Sequence, residues 1–302
     1  MKSGDVFFGN PASQHTSGKL ARKKINLARE NLYHRFGKNE KDTQLIFHSG
    51  ATEGFHTFAH SFVSWTQKEN KKLLICFSEI DHPAVTSLED SFSEAHVSFY
   101  KLPVKEDLSY DFDRIFQELQ NKKDTIILYH HLWVHNETGF VSPLENLKNL
   151  KTIPDLYIHV DGVQAPGKIS DCMNLSEGDI WTFSAHKFGA LKGLGFSFFQ
   201  KTFPFHPLIK GGGQQKGLRS GTENVSGIWS LHLALKDLEN MNPEDVRRGR
   251  LLIEEELKTL INNRGGILTR DESLRNSNTI YFYLNDLTSD ISLRYLTFRG
   301  SS

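Results

Sequence analysis

The chain has 302 residues, enough to bury a sizeable core and to form two domains. Lysine plus arginine equals aspartate plus glutamate, 36 each, so no overall field draws the chain to nucleic acid or to an anionic membrane, and a small-molecule enzyme fits better. Met1-Lys2-Ser3-Gly4-Asp5 lacks the apolar stretch of a signal peptide, and no segment offers the long uncharged run that spans a bilayer, so a cytoplasmic protein is expected. Two cysteines, Cys76 and Cys172, form neither a disulfide framework nor a metal-ligand cluster.

In chain order, Ala21, Ile25, Ala28, Leu32 and Phe36 recur at helical spacing and predict a helix from about 17 to 36, with Gly37 as its end cap. Short apolar runs then predict buried strands at 44–48, 72–77, 96–100, 125–129, 156–160, 179–183 and 195–199. Helical pieces separate many of them, which argues for an α/β domain with a mostly parallel sheet flanked by helices, its ligands beyond the carboxyl ends of the strands. Two helical stretches follow, 224–240 and 243–263, then a strand-like 279–284 and a helix-like 290–298. Asn240-Met241-Asn242-Pro243 punctuates the chain there, so a large domain over 4–239 and a smaller one over 240–302 are expected.

Several residues at the predicted strand ends carry chemistry. Ser49-Gly50-Ala51-Thr52-Glu53 opens a helix, where free backbone amides and small residues make an anion site; an ordinary turn capped by Ser49 or Thr52 explains the same residues. His82, in Asp81-His82-Pro83-Ala84, could lay its imidazole over an aromatic ring, and Asn136 has an amide able to donate to a ring oxygen or a carboxylate. His130, His131 and His135 sit at a strand end and its following loop, where their spacing does not gather them on one face, so no metal site is expected. Asp161 ends an apolar run; it could pair with a protonated pyridine nitrogen, or serve as a helix cap or metal ligand. Ser184-Ala185-His186-Lys187 follows another run and precedes a glycine-rich stretch. A lysine at the end of a buried strand can lose proton affinity, and a neutral amine attacks an aldehyde to form a Schiff base.

Gly9-Asn10-Pro11-Ala12-Ser13-Gln14-His15, Ser49 to Glu53, His159-Val160-Asp161-Gly162-Val163-Gln164, Ser184 to Lys187, and Gly211-Gly212-Gly213-Gln214-Gln215-Lys216-Gly217-Leu218-Arg219-Ser220-Gly221-Thr222 occur in one order. That order resembles the cysteine desulfurases of the class V aminotransferase family over nearly the whole chain. The resemblance implies a fold type I enzyme that uses pyridoxal 5′-phosphate, with its large domain and a partial α+β small domain. It makes Lys187 the Schiff-base lysine, sets Asp161 at the pyridine nitrogen and stacks His82 on the ring. It also gives Gln164 to the ring hydroxyl, Asn136 to the substrate side, and Thr52, Ser184 and His186 to the phosphate, with Ala51 among the residues that bind the coenzyme. Thr222 would join the phosphate from a second subunit, so a homodimer is implied.

In that family L-cysteine becomes L-alanine while its sulfur is left as a persulfide on a loop cysteine, for transfer to an acceptor protein within sulfur metabolism and iron–sulfur cluster assembly. The family's N-terminal segment before Gly9, its acceptor cysteine after Ser-Ser-Gly and its later carboxylate-binding arginine find no counterpart in this sequence, whose last residues are Arg299-Gly300-Ser301-Ser302. Neither Cys76 nor Cys172 matches the acceptor position. The expectation is therefore a desulfurase ancestry in which these residues do not complete persulfide formation. A different class V aminotransferase, a selenocysteine lyase and a non-catalytic dimer partner are the alternatives.

Overall fold

The computed structural model describes residues 9–105, 107–169, 175, 177–268 and 274–284. Its first helix, α1 (Thr16–Arg35), buries Ala21, Ile25, Ala28 and Leu32, the stripe that the spacing predicts, and packs against α7 (Val225–Glu239). The chain leaves α1 through Gly37 at φ +57°, a left-handed position where glycine carries no Cβ penalty.

Seven strands make one sheet: β1 (Thr43–His48), β2 (Lys72–Ser78), β3 (Val97–Leu102), β4 (Thr125–Leu132), β5 (Leu156–Asp161), β6 (Ile180–Ser184) and β7 (Gly195–Gln200). Their spatial order is β1-β7-β6-β5-β4-β2-β3, and β7 alone runs against its neighbours. Both faces are covered, which is why the strands read as apolar runs rather than alternations. On one face α1 and α7 close over Phe36, Trp181, Phe183, Phe196 and Phe198. On the other, α2 (Ala51–Lys68) buries Phe55, Phe58 and Phe62 against Ile46, Ile75, Leu128 and Phe199. Each such phenylalanine contributes on the order of 2 kcal/mol by leaving water.

Helix α2 comes close to the sheet at Gly54, where a Cβ would meet Thr182 Cγ2 at 2.7 Å and His48 Nε2 at 2.9 Å. Short helices α3 (Pro83–Thr86) and α4 (Leu88–Ser91) follow β2, while α5 (Phe112–Leu119) and α6 (Leu147–Leu150) lie on either side of β4 in sequence. Because β7 reverses direction, β1, β2, β4, β5 and β6 all end along one edge of the sheet, and the loops that leave those ends converge there.

Two expectations change. Strand β4 runs three residues past Tyr129, so His130 and His131 are strand residues and not the start of a loop. Desolvated and neutral, each packs as a ring: His130 against Phe55 and His159, His131 against Tyr110 and Tyr129. Neighbouring strand residues face opposite sides, which separates the two rings. The strand-like 279–284 shrinks to β9 (Phe282–Tyr283), which pairs antiparallel with β8 (Ile267–Leu268). Before it, Thr279 N–H donates to Asn276 Oδ1 at 3.0 Å.

Between α7 and β8 runs α8 (Pro243–Asn262), opened by Asn242, whose side chain accepts Glu244 N–H. Glu254 on α8 holds Arg250 and Arg275, each at 3.0 Å and all nearly fully buried. Cys172 and the helix-like 290–298 lie outside the described residues.

Candidate active site

A cavity of about 250 Å³ opens at the carboxyl edge of the sheet. Five segments of the chain line it: Gly50, Ala51, Thr52 and Phe55; His82 and Ala84; Leu132, Val134 and Asn136; Asp161, Val163 and Gln164; Ser184, His186 and Lys187. Ala51, Thr52, His82, Asn136, Asp161, Gln164, Ser184, His186 and Lys187 thus share one wall system although they are far apart in sequence. Thr222 does not line this cavity and is exposed.

The helix start at one end of the cavity has the character of an anion cup. Gly50 is the N-cap of α2, and no side chain caps it, so neither Ser49 nor Thr52 takes the capping role that an ordinary turn would give them. The first intrahelical bond runs from Gly54 N–H to Gly50 O. That leaves the amides of Ala51, Thr52 and Glu53 without an intrahelical acceptor, at the positive end of the helix. Ser184 Oγ and His186 Nδ1, 3.0 Å apart, complete this part of the cavity lining from the turn after β6.

Asp161, the last residue of β5, is 7% exposed. Burial raises its carboxyl to about 7, against the opposing effects of the Val163 N–H bond to Oδ1 (2.9 Å) and of the Lys187 charge. Among the described residues Oδ2 takes no hydrogen bond. A buried carboxyl that lacks a full set of donors is suited to a cationic N–H of a ligand.

His82 lies at the mouth, exposed, with Nδ1 accepting Ala84 N–H at 3.1 Å; in the neutral ring this puts the proton on Nε2. Gln164 Oε1 accepts from Lys168 Nζ, a lysine whose pKa burial and then the Lys187 charge lower. Lys187 itself is exposed on the short 3-10 turn Ala185–Phe188, so the end of β6 presents its amine to the cavity and does not bury it. Gly189, at φ +99°, ends that turn.

Asn136 belongs to the loop after β4, where His135 Nδ1 accepts the amides of Glu137 and Thr138. Segment 274–277 backs the same loop through Val141 N–H to Leu274 O and Asn276 N–H to Gly139 O. Cys76, the cysteine among the described residues, is fully buried in β2, and burial pushes its thiol pKa up.

Three residues that shape this site lie inside the quoted motifs, where the sequence assigns them no role of their own. Glu53, on the first turn of α2, accepts Ser49 N–H at 2.8 Å and a two-point ion pair from Arg219. Gln215 pins the same loop to β1. An acid in the first turn of a helix was the available signal for Glu53; nothing local marks Arg219 as its partner, or Phe47 as the partner of Gln215.

Residues 6–300 match the aminotransferase class-V family model. The chain belongs to the aminotransferase class-V family. Members of this family work with pyridoxal 5′-phosphate. Within it, this class-V chain is 35% identical over 225 residues to a cysteine desulfurase of Cereibacter sphaeroides, covering 74% of the chain and 56% of the relative. It is 30% identical over 241 residues to the cysteine desulfurase NifS of Azotobacter vinelandii, covering 78% and 58%. The chain therefore spans a little over half the length of these relatives. A solved NifS-like protein superposes with a TM-score of 0.86 at 27% identity, covering 98% of this chain and 79% of that one. The mostly parallel sheet flanked by helices is the fold that the family implies.

Proposed function

We propose that this chain is a pyridoxal 5′-phosphate-dependent protein of cysteine desulfurase type, acting on L-cysteine. The observation that carries the proposal is the convergence of an uncapped helix start, a buried carboxyl and an exposed lysine on one cavity. Those three features fit the coenzyme's three handles, an anionic phosphate, a basic ring nitrogen and an aldehyde. When bound, pyridoxal phosphate supplies an electron-withdrawing ring that stabilises charge at the substrate α-carbon.

This chain's residues do the rest. The amides of Ala51 and Thr52, with Ser184 and His186, would hold the phosphate. Asp161 would hold a proton at the ring nitrogen, and its burial would make that charge pairing strong. His82 would cover one ring face, Gln164 would meet the ring hydroxyl, and Asn136 would face the substrate. Lys187 Nζ would be the amine that meets the aldehyde and moves the α-proton, with the reach that its exposure on a short turn gives it.

Cys76 cannot be the sulfur acceptor, because it is sealed in the sheet. An acceptor thiol would have to come from outside the described residues. That burial also favours a second reading, an aminotransferase or selenocysteine lyase activity that needs no protein thiol. We propose further that the protein is a homodimer in which Thr222 of each subunit completes the other's phosphate site, supported by the exposure of Thr222 away from its own cavity. The division into 4–239 and 240–302 is proposed likewise, on the break between α7 and α8 and on the separate β8-β9 sheet. No helix among the described residues is long and apolar enough to cross a membrane; a cytoplasmic location is part of this proposal.

The test is spectroscopic. Purified protein mixed with pyridoxal phosphate is expected to gain a visible absorption band distinct from that of the free coenzyme, and Lys187→Ala is expected to lose it. An unchanged band in the variant would overturn the role of Lys187. Sulfide or selenide release with a reductant present then separates the two substrate readings.

A further inference from the structure

We infer that Arg219 is a positioning residue for the phosphate cup, which it makes able to accept an anion by neutralising Glu53. The inference rests on the proposed use of that cup for a phosphorylated ligand and goes beyond it, because neither residue lines the cavity.

Glu53 stands one residue after Thr52, on the turn whose free amides face the cavity. A carboxylate favours a helix start, but here it competes with any anion that enters the cup, since like charges a few ångströms apart repel. The structure answers this with a guanidinium from a distant loop. Arg219 Nε donates to Glu53 Oε1 at 2.8 Å and Nη2 to Oε2 at 3.1 Å, with the two side chains 22% and 13% exposed. Two-point pairing in a partly desolvated place is the strong form of this contact. Burial opposes the charge on Glu53, yet the Arg219 and Ser49 hydrogen bonds prevail and hold its carboxyl at about 2. Glu53 is therefore ionised at neutral pH, and its charge must be cancelled for the cup to stay attractive to an anion.

The loop that brings Arg219 is held in place independently. Gln215 Oε1 accepts Phe47 N–H at 2.7 Å and its Nε2 donates to Phe47 O at 2.8 Å, so its side-chain amide docks on the free edge of β1. Arg29 Nη2 donates to the same oxygen at 2.9 Å. To reach this position Gln215 and Lys216 adopt φ of +50° and +60°, left-handed values that cost on the order of 1–2 kcal/mol for a residue with a Cβ. Backbone held this far from its preference indicates that the loop's placement is over-determined. The same loop ends at Thr222, so the segment that neutralises one cup also carries the residue proposed to serve a second.

The experiment compares pyridoxal 5′-phosphate with pyridoxal, which lacks only the phosphate, by equilibrium dialysis against wild type, Arg219→Gln, Glu53→Gln and the double variant. Arg219→Gln is expected to lose about tenfold in affinity for the phosphorylated ligand, the size of one uncompensated charge in a partly wet site, and to keep its affinity for pyridoxal. Glu53→Gln is expected to bind the phosphorylated ligand at least as well as wild type, and the double variant to recover most of what Arg219→Gln loses. Inorganic phosphate should stabilise the coenzyme-free variants against heat in the same order.

A purely structural ion pair predicts something else: both single variants weaken both ligands alike, and the double variant is no better. That pattern would overturn the inference. If Arg219→Gln fails to fold, Glu53→Gln still decides the sign, since weaker binding of the phosphorylated ligand alone would contradict it. Wild type that does not prefer the phosphorylated ligand would sink the phosphate cup itself, and this inference with it.

Discussion

Asp161 is useful to a ligand because it is uncomfortable without one. Its carboxyl, raised to about 7 by burial, stays protonated in the folded protein up to near neutrality, whereas in the unfolded chain it ionises near 4. Unfolding therefore releases a proton between those values, and the coenzyme-free protein loses stability as pH rises through that window. Asp161→Asn keeps an acceptor for Val163 N–H and removes the ionisation. Melting of the coenzyme-free proteins is expected to show the variant gaining on wild type between pH 5 and pH 8, by at most about 3 kcal/mol. The same variant should bind pyridoxal phosphate more weakly, since its amide cannot supply the countercharge. An equal difference at both pH values would contradict the buried-acid account. Asp81, next to His82, is raised to about 8 for the same reason, with the Asp161 charge adding to burial.

At the scale of elements, α2 couples packing to the site. Its start faces the cavity, and its height above the sheet is set by Gly54, where a methyl group would press on Thr182 and His48. Gly54→Ala is expected to cost about 1–3 kcal/mol in chemical denaturation, as overpacking does, and to weaken pyridoxal phosphate binding by lifting Ala51 and Thr52. A loss of stability with unchanged affinity would separate the two. Much of this architecture was legible from apolar spacing alone: the α1 stripe and all seven sheet strands fell within a few residues of their place, because strands covered on both faces are rich in apolar side chains. Strand β4 ran on unnoticed because histidines look polar in a sequence and behave as rings once desolvated. Local pattern marked Lys187 and Asp161 as strand-end residues with chemistry, but their meeting required the ordered motifs. The Arg219–Glu53 pair stayed hidden, since contacts across so long a stretch leave no periodic trace.

For the molecule as a whole, buried titratable groups set the pH range of stability. Burial lowers His48 to about 4 and His130 and His131 to about 3, and holds His159 well below its ordinary value. Below pH 6.5 the unfolded chain takes up protons that these four rings do not take up when folded, so their contribution falls as pH falls. Asp81 and Asp161 act in the opposite sense. Near pH 5 these six groups by themselves give an uptake of roughly two protons on unfolding, a slope on the order of 2–3 kcal/mol per pH unit, to which the other histidines lowered by burial add. Stability of the coenzyme-free protein is expected to peak between about pH 6 and 7.5 and to decline on both sides; a profile still rising beyond pH 8 would contradict the burial of the two acids.

The double grip of the Gln215 amide on Phe47 has one more effect. Strand β1 is the outermost of its sheet, and an outermost strand offers unpaired main-chain groups to any extended peptide that drifts past. A side-chain amide presents a carbonyl oxygen and an N–H side by side, so Gln215 meets Phe47 N–H and C=O as one residue of an added strand would. The same residue that steadies a binding loop thereby guards against cross-strand aggregation, and during synthesis that guard arrives only after the chain has passed residue 215.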